Sequence, residues 1–311
     1  MKVVISEFMD LPAVEALKGR FDTVYDPQLV DDRPGLASLL ADADALVVRN
    51  RTQVDAALVA GAPRLKVVGR LGVGLDNIDV AACRSRGIEV IPATGANALA
   101  VAEYVVCTAM LLLRGAYLST PAVAAGEWPR PRLSEGREAA GRTLGIVGFG
   151  NIGQLAAVLA QRLGMRVIAA DALLTPADPV WAQTGVARRT FDELLAESDA
   201  VTLHVPLTDQ TRNLVNAERL ARMKRGAVLI NTARGGVVDE AALAQALAAG
   251  QLGGAALDVF EREPLAAGSP LAGAPNLVLT PHIAGVTQDS NQRVSSMIAE
   301  RVAAFLAARK A

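Results

Sequence analysis

Residues 143–164, TLGIVGFGNIGQLAAVLAQRLG, read as a strand, a glycine turn and a helix in immediate succession. Within them Gly148-Phe149-Gly150-Asn151-Ile152-Gly153 has the spacing of a dinucleotide-binding turn. The first glycine allows the tight turn, the second lets the backbone approach a pyrophosphate, and the third lets helix and strand pack closely. Such glycine spacing is common by chance, so its context decides. A Val/Ile strand precedes it, an Ala/Leu-rich helix follows, and Asp171 ends the next strand, 18 residues beyond Gly153. The helix start offers free N–H groups and a positive dipole end to phosphate oxygens. Asp171 accepts hydrogen bonds from the ribose hydroxyls but repels a 2′-phosphate. Ala172-Leu173-Leu174 bring no cation to offset that repulsion. The residues point to NAD rather than NADP.

Outward from this turn, short β-branched runs alternate with Ala/Leu-rich helical runs along the whole chain. Strands are predicted at Lys2–Ile5, Thr23–Tyr25, Ala45–Val48, Lys66–Val68 and Glu89–Ile91. A second set is predicted at Leu144–Val147, Arg166–Ala170, Ala200–Leu203, Ala227–Asn231, Ala255–Asp258 and Leu277–Leu279. Val/Ile strands alternating with helices imply parallel sheets covered on both faces. Pro12 and Pro34 suit first helical turns, Asp79 and Asp239 suit N-caps, and Thr190 with Glu193 suits a capping box. Ala98–Arg114 reads as a long, mostly buried helix, 119–141 as a loop-rich stretch, and about 287–309 as a closing helix.

The 311 residues leave room for two domains at roughly 150 residues each. Lys plus Arg number 31 against 32 Asp plus Glu, and the charges are spread evenly, with 11 basic and 13 acidic side chains in residues 1–97. With aromatics at only 4%, there is neither the basic stripe nor the stacking surface of a nucleic-acid binder. The apolar runs fall short of the roughly 20 residues that span a bilayer; the most apolar, Tyr104–Leu113, is bounded by Glu103 and Arg114. Glu7 and Asp10 break any signal-like N-terminus. Cys83 and Cys107 have no metal-ligand spacing and read as structural, so no metal and a reducing cytoplasm are expected.

Three segments end strands of the second set, at the sheet edge where open α/β sheets bind ligands. They are INTARGGVVDE (Ile230–Glu240), LDVFEREP (Leu257–Pro264) and LTPHIAG (Leu279–Gly285). With the glycine turn, HVP (His204–Pro206) and GRLGVGLDNID (Gly69–Asp79), they make the chain resemble the D-isomer-specific 2-hydroxyacid dehydrogenases over essentially its whole length. The resemblance implies a Rossmann cofactor domain, 97–285, inserted in a flavodoxin-like substrate domain, 1–96 plus 286–311. It implies a cleft that closes on the substrate, and a homodimer formed through the cofactor domain.

By resemblance, Arg234 orients the substrate carboxylate and carbonyl, His282 is the acid/base, and Glu263 is its partner. The chemistry agrees. Reducing a 2-oxo acid leaves an alkoxide that needs a proton, and histidine can carry one near neutrality. A nearby carboxylate favours imidazolium and fixes the tautomer, while the arginine fork suits a planar carboxylate. His204, Val205 and Pro206 lie beside the cofactor in the family, which assigns His204 to binding or packing. Asn231, Thr232, Ala233 and Asp258 are expected near the nicotinamide, with Ala284 and Gly285 on the same side. Arg49, Asn50 and Arg51 in VVRNRTQV are expected at the distal end of the substrate, and Gly72, Val73 and Gly74 at its carboxylate.

Within the family, ISEFMD (Ile5–Asp10), VVRNRTQV (Val47–Val54), Gly69–Val80 and RGAYLSTPAVAAGEWPR (Arg114–Arg130) are similar to the bacterial sulfolactate dehydrogenases. Phosphoglycerate dehydrogenase-like enzymes are the rival, although their longer members carry a regulatory domain past the point where this chain stops. Formate dehydrogenase relatives carry Gln at the place of Glu263. Some relatives act instead as NAD-sensing co-repressors that bind partner peptides, so a non-enzymatic reading stays open at this point.

Overall fold

The computed structural model describes residues 1–309, which divide into two α/β units. Met1–Asn97 with the chain from Val286 onward form one, and Ala98–Gly285 the other. The second unit is therefore inserted in the sequence of the first.

The first unit has five parallel strands: β1 (Lys2–Ile5), β2 (Asp22–Tyr25), β3 (Ala45–Val48), β4 (Val67–Arg70) and β5 (Glu89–Pro92), in the order β2-β1-β3-β4-β5. This is the flavodoxin-like order, whose winding reverses between β1 and β3. Fully buried Val3, Ile5, Val47 and Val67 on one face, and Val4, Leu46, Val48 and Val68 on the other, account for the apolar composition of these strands. Each such side chain contributes about 1.5–3 kcal/mol when taken out of water. The helix Gln288–Ala307, opened by a Thr287–Ser290 capping box, packs Ile298 and Val302 on the first face.

The second unit has seven parallel strands: β6 (Thr143–Val147), β7 (Arg166–Ala170), β8 (Ala187–Arg188), β9 (Ala200–Leu203), β10 (Ala227–Asn231), β11 (Leu252–Leu257) and β12 (Leu277–Leu279). Their order, β12-β11-β10-β9-β6-β7-β8, contains the Rossmann arrangement with one further strand at the edge. Helices Ala98–Arg114 and Asn151–Arg162 cover one face, through residues such as Val105, Ala109, Ala156 and Ala160. The Thr190–Glu193 capping box and the Asp79 and Asp239 N-caps form where the sequence places them.

The sequence reading departs from the structure where glycine or proline obscures local pattern. β4 runs on through Gly69 to Arg70; position 69 is kept small because a Cβ there would lie 2.8 Å from both Ile298 and Val302, and this hides the strand end from propensity. β11 starts at Leu252 and ends before Asp258. Its Gly253 passes so near the Gly226 carbonyl that a Cβ would be 2.4 Å away, a close backbone approach that hides a strand from propensity. β8, with two residues, is too short to show a period. The stretch 119–141 is not all loop: it holds the short helices Thr120–Ala124 and Arg130–Leu133, each with proline in its first turn, where proline starts a helix rather than breaking it.

Candidate active site

In the second sheet Ala170, Val147, Leu203, Asn231, Leu257 and Leu279 stand in register, each the last residue of its strand. The segments that follow therefore emerge along one carboxyl edge: Asp171, Gly148–Gly153, His204–Pro206, Thr232–Arg234, Asp258–Glu263 and Thr280–His282. Arg234 and His282 leave strands two places apart, which is about 10 Å at normal strand spacing.

Winding in this sheet reverses between β6 and β9, and the glycine turn sits there. Gly148 has φ +91° and lies so close to His204 that a Cβ would be 2.5 Å from its carbonyl oxygen. A Cβ on Gly153 would meet the Gly148 oxygen at 2.5 Å. Gly150 faces open space within 4 Å. The first and third glycines thus serve the turn and the helix packing, while the second leaves room for a ligand beside the first amides of helix Asn151–Arg162. Those amides have no carbonyl four residues back. Asp171 accepts from the Phe149 amide (2.7 Å) with one oxygen and from Leu173 (2.8 Å) and Leu174 (3.2 Å) with the other. The Thr232 hydroxyl is buried with no hydrogen-bond partner among the described residues, and an orphaned group at a ligand edge calls for an external partner. The cradle, the acidic strand end and the orphaned hydroxyl fit NAD.

His282 Nδ1 lies 2.8 Å from Glu263 Oε2, and Glu263 Oε1 accepts the Phe260 amide at 3.1 Å. An ionised carboxylate only accepts, so in this pair Nδ1 is the donor, which leaves Nε2 as the ring nitrogen able to exchange a proton. His282 has φ +53°, an uncommon conformation for a side chain of its size. Asp258 holds it there. Its backbone oxygen accepts the His282 amide (2.8 Å), and its buried carboxylate accepts the Ile283 and Ala284 amides (2.8 Å each) and the Thr280 hydroxyl (2.6 Å). Tyr104, whose phenol burial pushes upward in pKa, lies 2.7 Å from the same hydroxyl. Sequence reading missed Tyr104 and Thr280, since nothing local marks a tyrosine in an apolar helix as a partner of a strand end. Gly285 follows half-buried.

Arg234 leaves β10 on a turn that Asn231 braces. Asn231 donates to the Arg234 carbonyl (2.9 Å) and accepts the Ala233 amide (3.0 Å), and Arg234 Nη1 donates to the Ala233 carbonyl (2.6 Å). Gly235 brings this turn against β11's exit: a Cβ there would sit 1.7 Å from the Phe260 oxygen. His204 differs from His282. It is partly exposed by surface area, yet its ring is enclosed tightly enough that burial pushes its pKa down to about 4, and Thr202 Oγ1 lies 3.1 Å from its Nε2. At neutral pH it carries no charge. Val205 packs toward Gly148, and Pro206 is exposed.

In the first unit, Arg49–Arg51 follow β3 and Glu7 follows β1, on either side of that sheet's reversal. Glu7, 5% exposed, accepts four successive amides: Arg49 (2.8 Å) and Thr52 (2.9 Å) on Oε1, Asn50 (3.3 Å) and Arg51 (3.1 Å) on Oε2. The Arg51 guanidinium is taken by Asp31 in an exposed ion pair, and Asn50 is exposed. Arg49 is half-buried. Its guanidinium stands over the Phe8 ring (5.8 Å) and donates to Asn291 Oδ1 (2.9 Å). Desolvation holds its pKa below the ordinary arginine value. Gly72 is buried, Gly74 half-buried and Val73 exposed, and a Cβ on Gly72 would collide with the Arg70 guanidinium.

Residues 106–284 match the family model "D-isomer specific 2-hydroxyacid dehydrogenase, NAD binding domain". The chain is 54% identical over 307 residues to an (S)-sulfolactate dehydrogenase of Chromohalobacter salexigens, covering 99% of each. It is 41% identical over 276 residues to a D-3-phosphoglycerate dehydrogenase of Mycobacterium leprae, covering 89% of this chain but only 52% of that one. Among solved structures, a D-lactate dehydrogenase of Aquifex aeolicus complexed with NAD and lactic acid matches at TM-score 0.81 and 30% identity, covering 99% of this chain and 96% of that one.

Proposed function

The chain belongs to the D-isomer-specific 2-hydroxyacid dehydrogenase family and is an NAD-dependent oxidoreductase acting on a CH–OH group; on that premise we propose that its substrate pair is 3-sulfolactate and sulfopyruvate. The observation that carries this reading is the 54% identity, end to end, with a sulfolactate dehydrogenase. The D-configured hydroxy acid takes the label (S) when C3 bears a sulfonate, because sulfur outranks oxygen in naming priority, so the relative's name is consistent with a D-specific family.

In the reaction we propose, Arg234 grips the substrate carboxylate and carbonyl oxygen. Bound NAD would supply the hydride acceptor and donor for C2. His282 Nε2 takes the hydroxyl proton as the C=O forms and gives it back in reduction. Glu263 keeps Nδ1 protonated and stabilises the imidazolium, and Asp258 holds the His282 turn. The glycine turn and Asp171 hold the pyrophosphate and adenine ribose, with His204, Val205, Pro206, Asn231, Thr232, Ala233, Ala284 and Gly285 along the same edge. The first unit is the substrate domain and the second the NAD domain. Steady-state kcat/KM is expected to be higher with NADH than with NADPH, since Asp171 opposes a 2′-phosphate; a preference for NADPH overturns this assignment of Asp171.

A sulfonate on C3 is a second anion and needs a cation separate from Arg234. Arg49 stands at the first sheet's winding reversal, the place where such sheets bind ligands, whereas Arg51 is engaged by Asp31. We therefore assign the distal anion to Arg49. A charge-assisted hydrogen bond is worth about 1.5–3 kcal/mol. Arg49→Gln is thus expected to lower kcat/KM for sulfopyruvate about tenfold or more, and for glyoxylate much less. An NADH-oxidation screen at 340 nm over glyoxylate, pyruvate, hydroxypyruvate, 3-phosphohydroxypyruvate and sulfopyruvate tests the substrate. Phosphohydroxypyruvate meets the same charge requirement and is the second reading, supported by the phosphoglycerate dehydrogenase likeness. Faster turnover of pyruvate or glyoxylate than of both dianions refutes the basic subsite.

We further propose a cytoplasmic homodimer that binds neither nucleic acid nor membrane. Exposed Leu99, Met110, Leu155 and Val158 on the two helices covering the second sheet supply an apolar face for a second copy. Among the described residues no single helix is long and apolar enough to cross a membrane.

A further inference from the structure

We propose that Glu7 and Asn291 are positioning residues that set Arg49 from its two ends, and that through it they determine preference for substrates with a distal anion. The inference rests on the assignment of Arg49 to that anion. Its own grounds are geometric. Four consecutive amides converge on one buried carboxylate, so the path of residues 49–52 is defined by the charge of Glu7. Those amides are thereby turned away from any ligand, which leaves the arginine side chain, not the loop backbone, to meet an anion. Asn77 closes the same loop from its carbonyl side, donating to the Arg49 (3.3 Å) and Thr52 (2.7 Å) oxygens. At the far end of the side chain, the guanidinium has a single side-chain acceptor among the described residues, Asn291. That residue comes from the helix Gln288–Ala307, far away in sequence.

An arginine on a free loop samples many rotamers and must order them when it binds. Held at both ends, it is pre-organised, and the ordering entropy is not lost again on binding. The amide oxygen of Asn291 bonds the guanidinium without adding a negative charge, and the Glu7 carboxylate acts on it through space rather than as a hydrogen-bond partner. Asp31, by contrast, neutralises Arg51. The Phe8 ring covers one side of the fork and limits its motion.

The test compares kcat/KM for sulfopyruvate with that for glyoxylate in the full-length protein. Glu7→Gln keeps the shape but leaves one acceptor oxygen for four amides and turns an NH2 group toward the others. It is expected to lower the sulfopyruvate-to-glyoxylate ratio about fivefold or more, through KM rather than kcat. Glu7→Asp keeps the charge and is expected to restore part of the ratio. Asn291→Ala, on a half-buried helix position, is expected to lower the ratio about threefold or more at unchanged melting temperature. If Glu7→Gln is unfolded at the assay temperature, Glu7→Asp and Asn291→Ala decide. In the Arg49→Gln background neither change is expected to lower the ratio further, since residues acting through one group are not additive. Equal losses on sulfopyruvate and glyoxylate mean a merely structural role and overturn the proposal. A steep Arg49→Gln effect with unchanged ratios in the Glu7 and Asn291 variants overturns the positioning alone. An unchanged ratio in Arg49→Gln overturns the distal-anion assignment and the positioning with it.

Discussion

His282→Asn is expected to lower kcat by about 10²–10⁴-fold, the usual contribution of a positioned acid/base, while His204→Asn is expected to retain near-normal turnover. The contrast follows from the two environments. His282 has one nitrogen committed to Glu263 at 2.8 Å and is about half exposed, so the other can exchange a proton with substrate. His204 is densely enclosed, has Thr202 as its neighbour, and is held neutral by a pKa of about 4. A group that stays unprotonated at working pH has no proton to give. Between pH 5 and 9 the rate profile should therefore be insensitive to replacing His204. Single-turnover rates with NADH and a saturating 2-oxo acid check both variants. Loss of turnover in His204→Asn with survival in His282→Asn reverses the assignment.

Arg234→Gln is expected to lower kcat/KM by roughly 10²–10⁴-fold for every 2-oxo acid, dianionic or not. Two charge-assisted hydrogen bonds to the substrate, at about 1.5–3 kcal/mol each, set that range. Lysine should recover little, because a point ammonium cannot span two oxygens in one plane. The Asn231 brace holds the turn through backbone groups, so the variant should fold and bind NADH as before. Fluorescence titration with NADH separates the two possibilities: weakened cofactor binding of similar size would mean that Arg234 serves the cofactor and not the substrate. The uniform loss also distinguishes Arg234 from Arg49, whose loss should be confined to dianions.

Much of the second unit was legible because its information is local. The glycine spacing, the strand before it and Asp171 after it lie within a few tens of residues. Gly148 and Gly153 do in the structure what their spacing implies, meeting the His204 and Gly148 oxygens at distances no side chain tolerates. The Thr190 capping box and the Ala98–Arg114 helix were likewise written in three- and four-residue periodicities. Glycine misled where it served tertiary contact instead, as in Gly69 and Gly253, because a position kept small by a distant neighbour looks like a weak strand position.

The sequence alone determined two parallel α/β units, an NAD turn, and an Arg, a Glu and a His at strand ends, since periodicity and turn chemistry are properties of neighbouring residues. Only the tertiary structure decided how those strand ends are furnished. Glu7 in ISEFMD looked like an acidic residue near a terminus, yet pairing β1 with β3 places it under residues 49–52. Arg49 and Arg51 were equivalent in sequence, and became distinct when Asp31 met one and Asn291 the other. Tyr104 reached Thr280 across 176 residues. A side chain's partner is set by sheet order and register, and these bring together segments whose local sequences carry no mark of one another.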